Sequence, residues 1–226
     1  MMLLAIDTAT RYLGLALHDG QELIAEQIWR TGNKHNTLLA SSIQQLLEVC
    51  DCSPADLTAL AVSVGPGSYT GLRIGVSLAK GMASASNLPL IGVSSLDTLA
   101  AGCPFENTRY HLLTIVQAGR GRIISGEYRV RKGRWDSAAD PQLTTWDELL
   151  AEREGSFYIT GEINEAGREA IDTARSDDLS LTIIQAPYRI RRPGVLAQEA
   201  WRRYEAGEPA DFHPAKCLPF YLQDPG

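Results

Sequence analysis

Two short stretches carry residues whose types and spacing suit phosphate chemistry. The first is Asp7-Thr8-Ala9-Thr10, an acid that ends an apolar run and is followed by small hydroxyl residues. The second is Gly65-Pro66-Gly67-Ser68-Tyr69-Thr70-Gly71, which follows another apolar run and opens a helical segment. A carboxylate at a strand end can hold a metal-phosphate group. Glycines let a backbone turn sharply, and the free amides of a helix start favour an anion. The glycine spacing fits neither the P-loop nor the dinucleotide fingerprint. Both stretches also have a plain structural account: the acid bonds turn amides, and the glycines permit a tight turn.

The elements that must position these residues follow from the hydrophobic pattern. Met2 to Asp7, Tyr12 to His18 and Leu23 to Trp29, with Asp19-Gly20 between the last two, predict a three-strand antiparallel meander. Leu39, Ile43, Leu46, Leu47 and Cys50 recur at helical spacing. Leu60 to Val64 predicts the strand before the glycine turn, and the segment up to Asn87 the helix after it. There Gly71, Gly75, Ala79 and Ala83 share one face, suited to close packing on the chain's own sheet. Leu88 to Val93 and Ser94 to Ala100 read as a strand and a short helix. Strands are expected at Leu112 to Val116, Ile123 to Val130, Phe157 to Thr160 and Leu181 to Ile184, and helices at Thr144 to Arg153, Glu162 to Ala174 and Gly194 to Ala206. The run Arg129, Arg131, Lys132 and Arg134 reads as a solvated turn. Two halves of this kind predict a duplicated α/β plan, with lobes at 1–103 and 104–226.

Composition narrows the function. With 21 Lys and Arg against 27 Asp and Glu, the formal net charge is −6, which argues against a broad basic surface holding nucleic acid unaided. Arg189, Arg191, Arg192, Arg202 and Arg203 are the one set that could form a positive stripe, and solvated surface accounts for them as readily. The four cysteines, at 50, 52, 103 and 217, make no disulfide framework and read as reduced thiols. No apolar run approaches membrane-spanning length, so a cytoplasmic protein is expected. His18, His35, His111 and His213 are scattered, with no zinc-protease run and no serine in a nucleophile elbow, which leaves a peptidase unsupported.

The segments Met2 to Thr10, Gly65 to Ala83, Ile91 to Ala100 and Pro219-Phe220-Tyr221-Leu222 together closely resemble the bacterial TsaB (YeaZ) family. The resemblance is dense over roughly the first hundred residues. It implies an actin, sugar-kinase and chaperone-ATPase type of fold: two lobes, each with a mixed five-stranded sheet flanked by helices. It further implies a subunit that works with the transferase TsaD and the ATPase TsaE on adenosine 37 of tRNA. Residues of vestigial nucleotide binding, at most weak, are then Asp7, Thr8, Thr10, Gly65, Gly67, Ser68 and Gly71. Those of a partner face on the two N-terminal helices are His35, Leu39, Ile43, Leu46, Leu47, Leu72, Arg73, Val76, Lys80 and Met82. The same face is expected to pair two copies when the chain is alone.

The family's catalytic pattern is absent. Ser95 and Leu99 stand where TsaD-like proteins carry two metal-binding histidines, and leucine cannot ligate a metal. Gln117-Ala118-Gly119 stands where an acid opens the second phosphate loop, and a neutral amide is no general base. Glu162, after Gly161, would obstruct a purine stacked on that turn. A non-catalytic subunit without a metal is therefore expected. The alternative is an ATP-binding kinase or hydrolase resting on the two first-lobe loops.

Overall fold

A computed structural model describes residues 2–32, 34–104 and 106–222 of the chain. The chain forms two compact units. One comprises Met1–Thr98 and Arg191–Tyr221; the other comprises Leu99–Ile190 and Leu222–Gly226.

The first unit is built on β1 (Leu3–Asp7), β2 (Tyr12–His18), β3 (Leu23–Arg30), β4 (Ala59–Gly65) and β5 (Leu90–Ser94), with helices α1 (His35–Val49) and α2 (Tyr69–Ser86). The strand order is β3-β2-β1-β4-β5. β1 pairs antiparallel with β2 and parallel with β4, so the sheet is mixed, as expected. Strand residues alternate between two faces. Leu4, Ile6, Leu60 and Val62 face one core with Leu39, Leu46 and Val76 of α1 and α2. Leu3, Ala5, Ala59 and Ala61 face the other. That second face is covered by Leu196, Ala197 and Ala200, which belong to α6 (Pro193–Ala206). A strand with both faces covered reads as an uninterrupted apolar run, as β1 does.

The expected division at 103/104 therefore requires correction. The chain crosses between units at 98/99 and returns at 190/191, because α6 supplies the apolar face that the alanine-rich side of the first sheet needs. Pro193 at the start of α6 sits where a Cβ on Gly14 would be 3.2 Å away, so the glycine lets this helix start come close to β2.

The second unit contains β6 (His111–Gly119), β7 (Arg122–Arg131), β8 (Arg134–Ser137), β9 (Gln142–Thr144), β10 (Gly155–Gly161) and β11 (Leu179–Ile183). Its sheet is six-stranded, one more than expected, in the order β11-β10-β6-β7-β8 with β9 also on β7. The basic run proves to be a tight hairpin: Lys132 and Gly133 take φ of 49° and 75°, and β8 returns along β7. Helix α4 (Trp146–Leu150) is shorter than its apolar pattern predicts. Thr145 caps it, with Glu148 completing a capping box, so the helix cannot begin earlier. Trp146, Leu149 and Ile171 of α4 and α5 (Glu165–Ala174) pack with Leu113, Phe157 and Ile159. The remaining helix, α3 (Ser95–Ala101), follows β5. Among the described residues no helix is long and apolar enough to cross a membrane.

Candidate functional site

The two stretches singled out for phosphate chemistry meet in the first unit. β1 delivers Asp7 at the end of the sheet, and the turn after β4 opens α2 beside it. The Ser68 N–H donates to the Ala9 carbonyl at 2.6 Å, and the Thr8 hydroxyl donates to the Gly71 carbonyl at 2.7 Å. Asp7, Thr8, Thr10, Gly65, Gly67, Ser68 and Gly71 thus form one cluster. The Ser68 hydroxyl, as the cap of α2, accepts from the Gly71 N–H.

The glycines are accounted for by the chain itself. A Cβ on Gly67 would stand 2.2 Å from the Ala9 carbonyl oxygen, and one on Gly71 would stand 2.2 Å from that of Thr8. Gly65, with φ of 104°, adopts a conformation that L side chains rarely take, and its missing Cβ admits the Phe220 carbonyl.

Asp7 is likewise engaged within the unit. Its Oδ1 accepts the Ala9 N–H at 2.8 Å, and its Oδ2 accepts Arg191 Nε at 2.9 Å. Both side chains of the pair are 4% exposed. The same guanidinium donates to the Thr10 hydroxyl, and His35 Nε2 lies 2.7 Å from the Thr10 carbonyl oxygen. Thr31 closes the network on His35 Nδ1 at 3.2 Å. A metal-bound triphosphate needs a free carboxylate here, and the one present already neutralises a buried cation. The residues of this cluster do not fit that group.

Positions compared with the catalytic pattern are also engaged locally. Ser95 is fully buried with its hydroxyl 2.9 Å from that of Ser63, and Leu99 is buried. In the second unit the Gln117 N–H donates to Glu162 Oε2 at 2.8 Å, and the Gln117 side-chain amide donates to the Glu162 carbonyl at 2.7 Å. Glu162 thus turns onto the β6 backbone.

The residues expected at a partner face separate into a buried set and a set at the surface. Leu39, Leu46, Leu72 and Val76 are at most 3% exposed and lie inside the first unit, and His35 is buried in the network above, whereas Ile43 and Leu47, at most 5% exposed, form part of the lining of a groove beside α1 and α2. Apolar residues at helical spacing turn toward their own sheet, which leaves the opposite faces for any partner. Arg73 is exposed, with its guanidinium 4.7 Å from the centroid of the Tyr69 ring. Lys80 holds the C-terminal segment, donating to the Cys217 carbonyl at 3.1 Å. Met82, with Ala40, Gln44, Glu48 and Leu78, lines a groove of about 490 Å³ beside α1 and α2.

Four of the five arginines of the expected stripe are in ion pairs, Arg191 with Asp7, Arg192 with Glu26, Arg202 with Glu199 and Arg203 with Asp97, and the fifth, Arg189, is partly buried. Sequence reasoning missed the role of Arg191, which lies 184 residues from its partner. No local signal connects the two.

Comparison with known proteins agrees with this architecture. Residues 26–180 match the family described as TsaD, tRNA N6-adenosine threonylcarbamoyltransferase. The tRNA threonylcarbamoyladenosine biosynthesis protein TsaB of Bacillus subtilis is 36% identical over 176 residues, 76% of each chain. Its Escherichia coli counterpart is 37% identical over 68% of this chain and 66% of its own length. Among solved structures, YeaZ from Pseudomonas aeruginosa superposes with a TM-score of 0.77 at 23% identity, covering 98% of this chain and 99% of that one. Component A of the (R)-2-hydroxyglutaryl-CoA dehydratase of Acidaminococcus fermentans shares the fold at a TM-score of 0.50 and 14% identity, covering 91% and 99%. The fold is thus the two-lobed, actin-like one, and the chain belongs to the TsaB family of tRNA threonylcarbamoyladenosine biosynthesis proteins, within the wider TsaD family.

Proposed function

We propose that this chain is a non-catalytic subunit of the tRNA N6-threonylcarbamoyladenosine complex acting on position 37. In this reading it binds its TsaD transferase, works with the ATPase TsaE in the cytoplasm, and reaches tRNA through that complex. One contrast within a single motif carries the reading. The glycine turn that opens α2 is filled by the chain's own backbone and faces an acid already paired with Arg191. The flank of the same helix leaves an apolar groove open with Leu78 and Met82. The motif has kept its packing role, the phosphate residues are vestigial, and an apolar groove gives the association energy that a phosphate loop does not. A partner seated there stabilises whichever of its conformations fits the groove. In isolation the same surface pairs two copies.

The test is assembly with TsaD, measured by light scattering. Ala40→Glu and Met82→Glu place a charge in the groove and should abolish the heteromeric mass while leaving the thermal unfolding midpoint within a few degrees. Leu46→Glu serves as the contrasting control: it buries an unpaired charge in the core and should unfold the unit. Unaltered assembly by both groove variants would refute the interface, and tight ATP binding with turnover by the chain alone would refute the non-catalytic role.

A further inference from the structure

A partly buried cation in the second unit stands without an anion. β6, β10 and β11 run parallel, so their carboxyl ends share one edge of the sheet. After β11 the Ile184 N–H donates to the Ile159 carbonyl at 3.0 Å, and the Thr160 hydroxyl donates to the Tyr188 carbonyl at 2.9 Å. These bonds lay the segment that leads to Arg189 across the end of β10. Helix α5 starts beyond the same end of β10, and there the Arg168 N–H donates to the Asn164 carbonyl at 3.1 Å. Arg168 and Arg189 thus share one edge of the sheet, near enough for one charge to act on the other: burial, and after it the Arg168 charge, lowers the Arg189 pKa below its ordinary value.

Among the described residues no acid answers this pair of charges. Arg189 Nε is buried without a hydrogen-bond partner, and neither arginine is in an ion pair. Glu162 accepts the Gln117 N–H, Asp172 pairs with Arg175, and Glu165 and Glu169 on α5 form no ion pair with either guanidinium. Only Nε of the Arg189 nitrogens is both buried and unpartnered, so the terminal amino groups stay open to a ligand. Like charges side by side with a desolvated donor cost stability, and an anion between them offsets that cost.

We propose that Arg168 and Arg189 clamp a phosphate dianion, as the free ion or as the end group of a phosphate monoester, at the carboxyl edge of the second sheet. Sheets of this α/β kind take ligands outside the carboxyl ends of their strands. Guanidinium groups bind phosphate and carboxylate alike through paired N–H donors, so charge decides between them. A protein carboxylate or a nucleic-acid phosphodiester brings one negative charge and leaves one arginine unanswered. A phosphate monoester carries about −1.5 to −2 at neutral pH and answers both. Every residue of the site belongs to the second unit, and the proposal stands independently of the subunit role above. Both arginines hold the ligand, and neither is given a catalytic part.

The experiment is calorimetric titration of the full chain with inorganic phosphate, phenyl phosphate, sulfate and acetate. Phosphate should bind saturably at one site, and Arg168→Gln or Arg189→Gln should weaken it about 10- to 100-fold, the loss of charge-assisted hydrogen bonds. Arg175→Gln, whose charge is already paired with Asp172, should leave the affinity unchanged. Phosphate affinity should fall between about pH 7.5 and pH 5.5 as the ligand becomes a monoanion, whereas sulfate, a dianion throughout, should keep its affinity. Phenyl phosphate against inorganic phosphate separates an esterified ligand from the free ion, and tighter binding of either supports the site. On the wild-type chain, phosphate should protect Arg168 and Arg189 from phenylglyoxal, a readout that needs no variant to fold. No saturable phosphate binding, or binding unchanged in both glutamine variants with no protection, overturns the site. Acetate bound as tightly as phosphate overturns it in favour of a carboxylate from a protein partner.

Discussion

Removing Arg191 should do far more damage than removing any surface arginine. Asp7 and Arg191 are each 4% exposed, and the carboxylate is held by the Ala9 N–H at 2.8 Å and the guanidinium at 2.9 Å. Truncating one member of a buried pair leaves the other charged and unsolvated, at a cost of about 3–5 kcal/mol. Whole-protein stability is about 5–15 kcal/mol, so Arg191→Met removes a large share of it. At this chain length each kcal/mol shifts the melting midpoint by roughly 2–4 °C, which predicts a fall of about 6–20 °C. Arg192→Met is the control. Its partner is Glu26, but its own side chain is 49% exposed, and such pairs contribute about 1 kcal/mol or less. The assay is urea unfolding at neutral pH of the wild type, Arg191→Met, Asp7→Asn and the double variant. The introduced asparagine keeps an acceptor for the Ala9 N–H, and without the guanidinium its amide faces no positive charge. The double variant should therefore be more stable than additivity requires by about 2–3 kcal/mol. A loss under about 1 kcal/mol for Arg191→Met, or strict additivity, would refute the claim that this pair holds the loop.

The glycines of α2 should separate by surroundings. Gly75→Ala places a Cβ 2.2 Å from Thr8 Oγ1 and should cost about 3 kcal/mol, whereas Gly81→Ala meets nothing within 4 Å and should stabilise the helix by about 0.5–1 kcal/mol, both read from thermal melts. Burial pushes the Cys103 and Cys217 thiols up to about 12 and about 11, so mass mapping after iodoacetamide at pH 8 should find Cys50 and Cys52 labelled and the other two labelled only after unfolding. In the second unit burial raises the Glu127 carboxyl, but the hydrogen bonds from Arg153 and His111 outweigh it and hold the group below its ordinary range. A depressed carboxylate stabilises the fold above the unfolded value of about 4.3, and that contribution is lost as pH falls through the folded value. Glu127→Gln should therefore lower the urea midpoint at pH 7 and match the wild type once the carboxyl is protonated, near pH 2; equal midpoints at pH 7 would count against it.

Local elements are legible in the chain without its fold, and so are the two stretches that come together at the end of β1. The apolar runs of β1 and β2, the helical spacing in α1 and the glycines before α2 are local signals, and local sterics enforce them. They are enough to single out Asp7, Thr8, Thr10 and the Gly65 to Gly71 turn, which fold into one cluster. What they leave open is which side of an amphipathic helix meets the chain's own sheet and which meets a partner. Apolar spacing marks the inward face, so Leu39, Leu46, Leu72 and Val76 prove to be core, while Ile43 and Leu47 of the same pattern share the groove with Ala40, Leu78 and Met82. The return of α6 to the first unit is equally illegible, because an alanine-rich strand face does not say which later helix will cover it. Folding alone brings Arg191 across 184 residues to Asp7. That contact follows from the packing of α6, and it turns a carboxylate suited to a metal-phosphate group into one half of a buried ion pair.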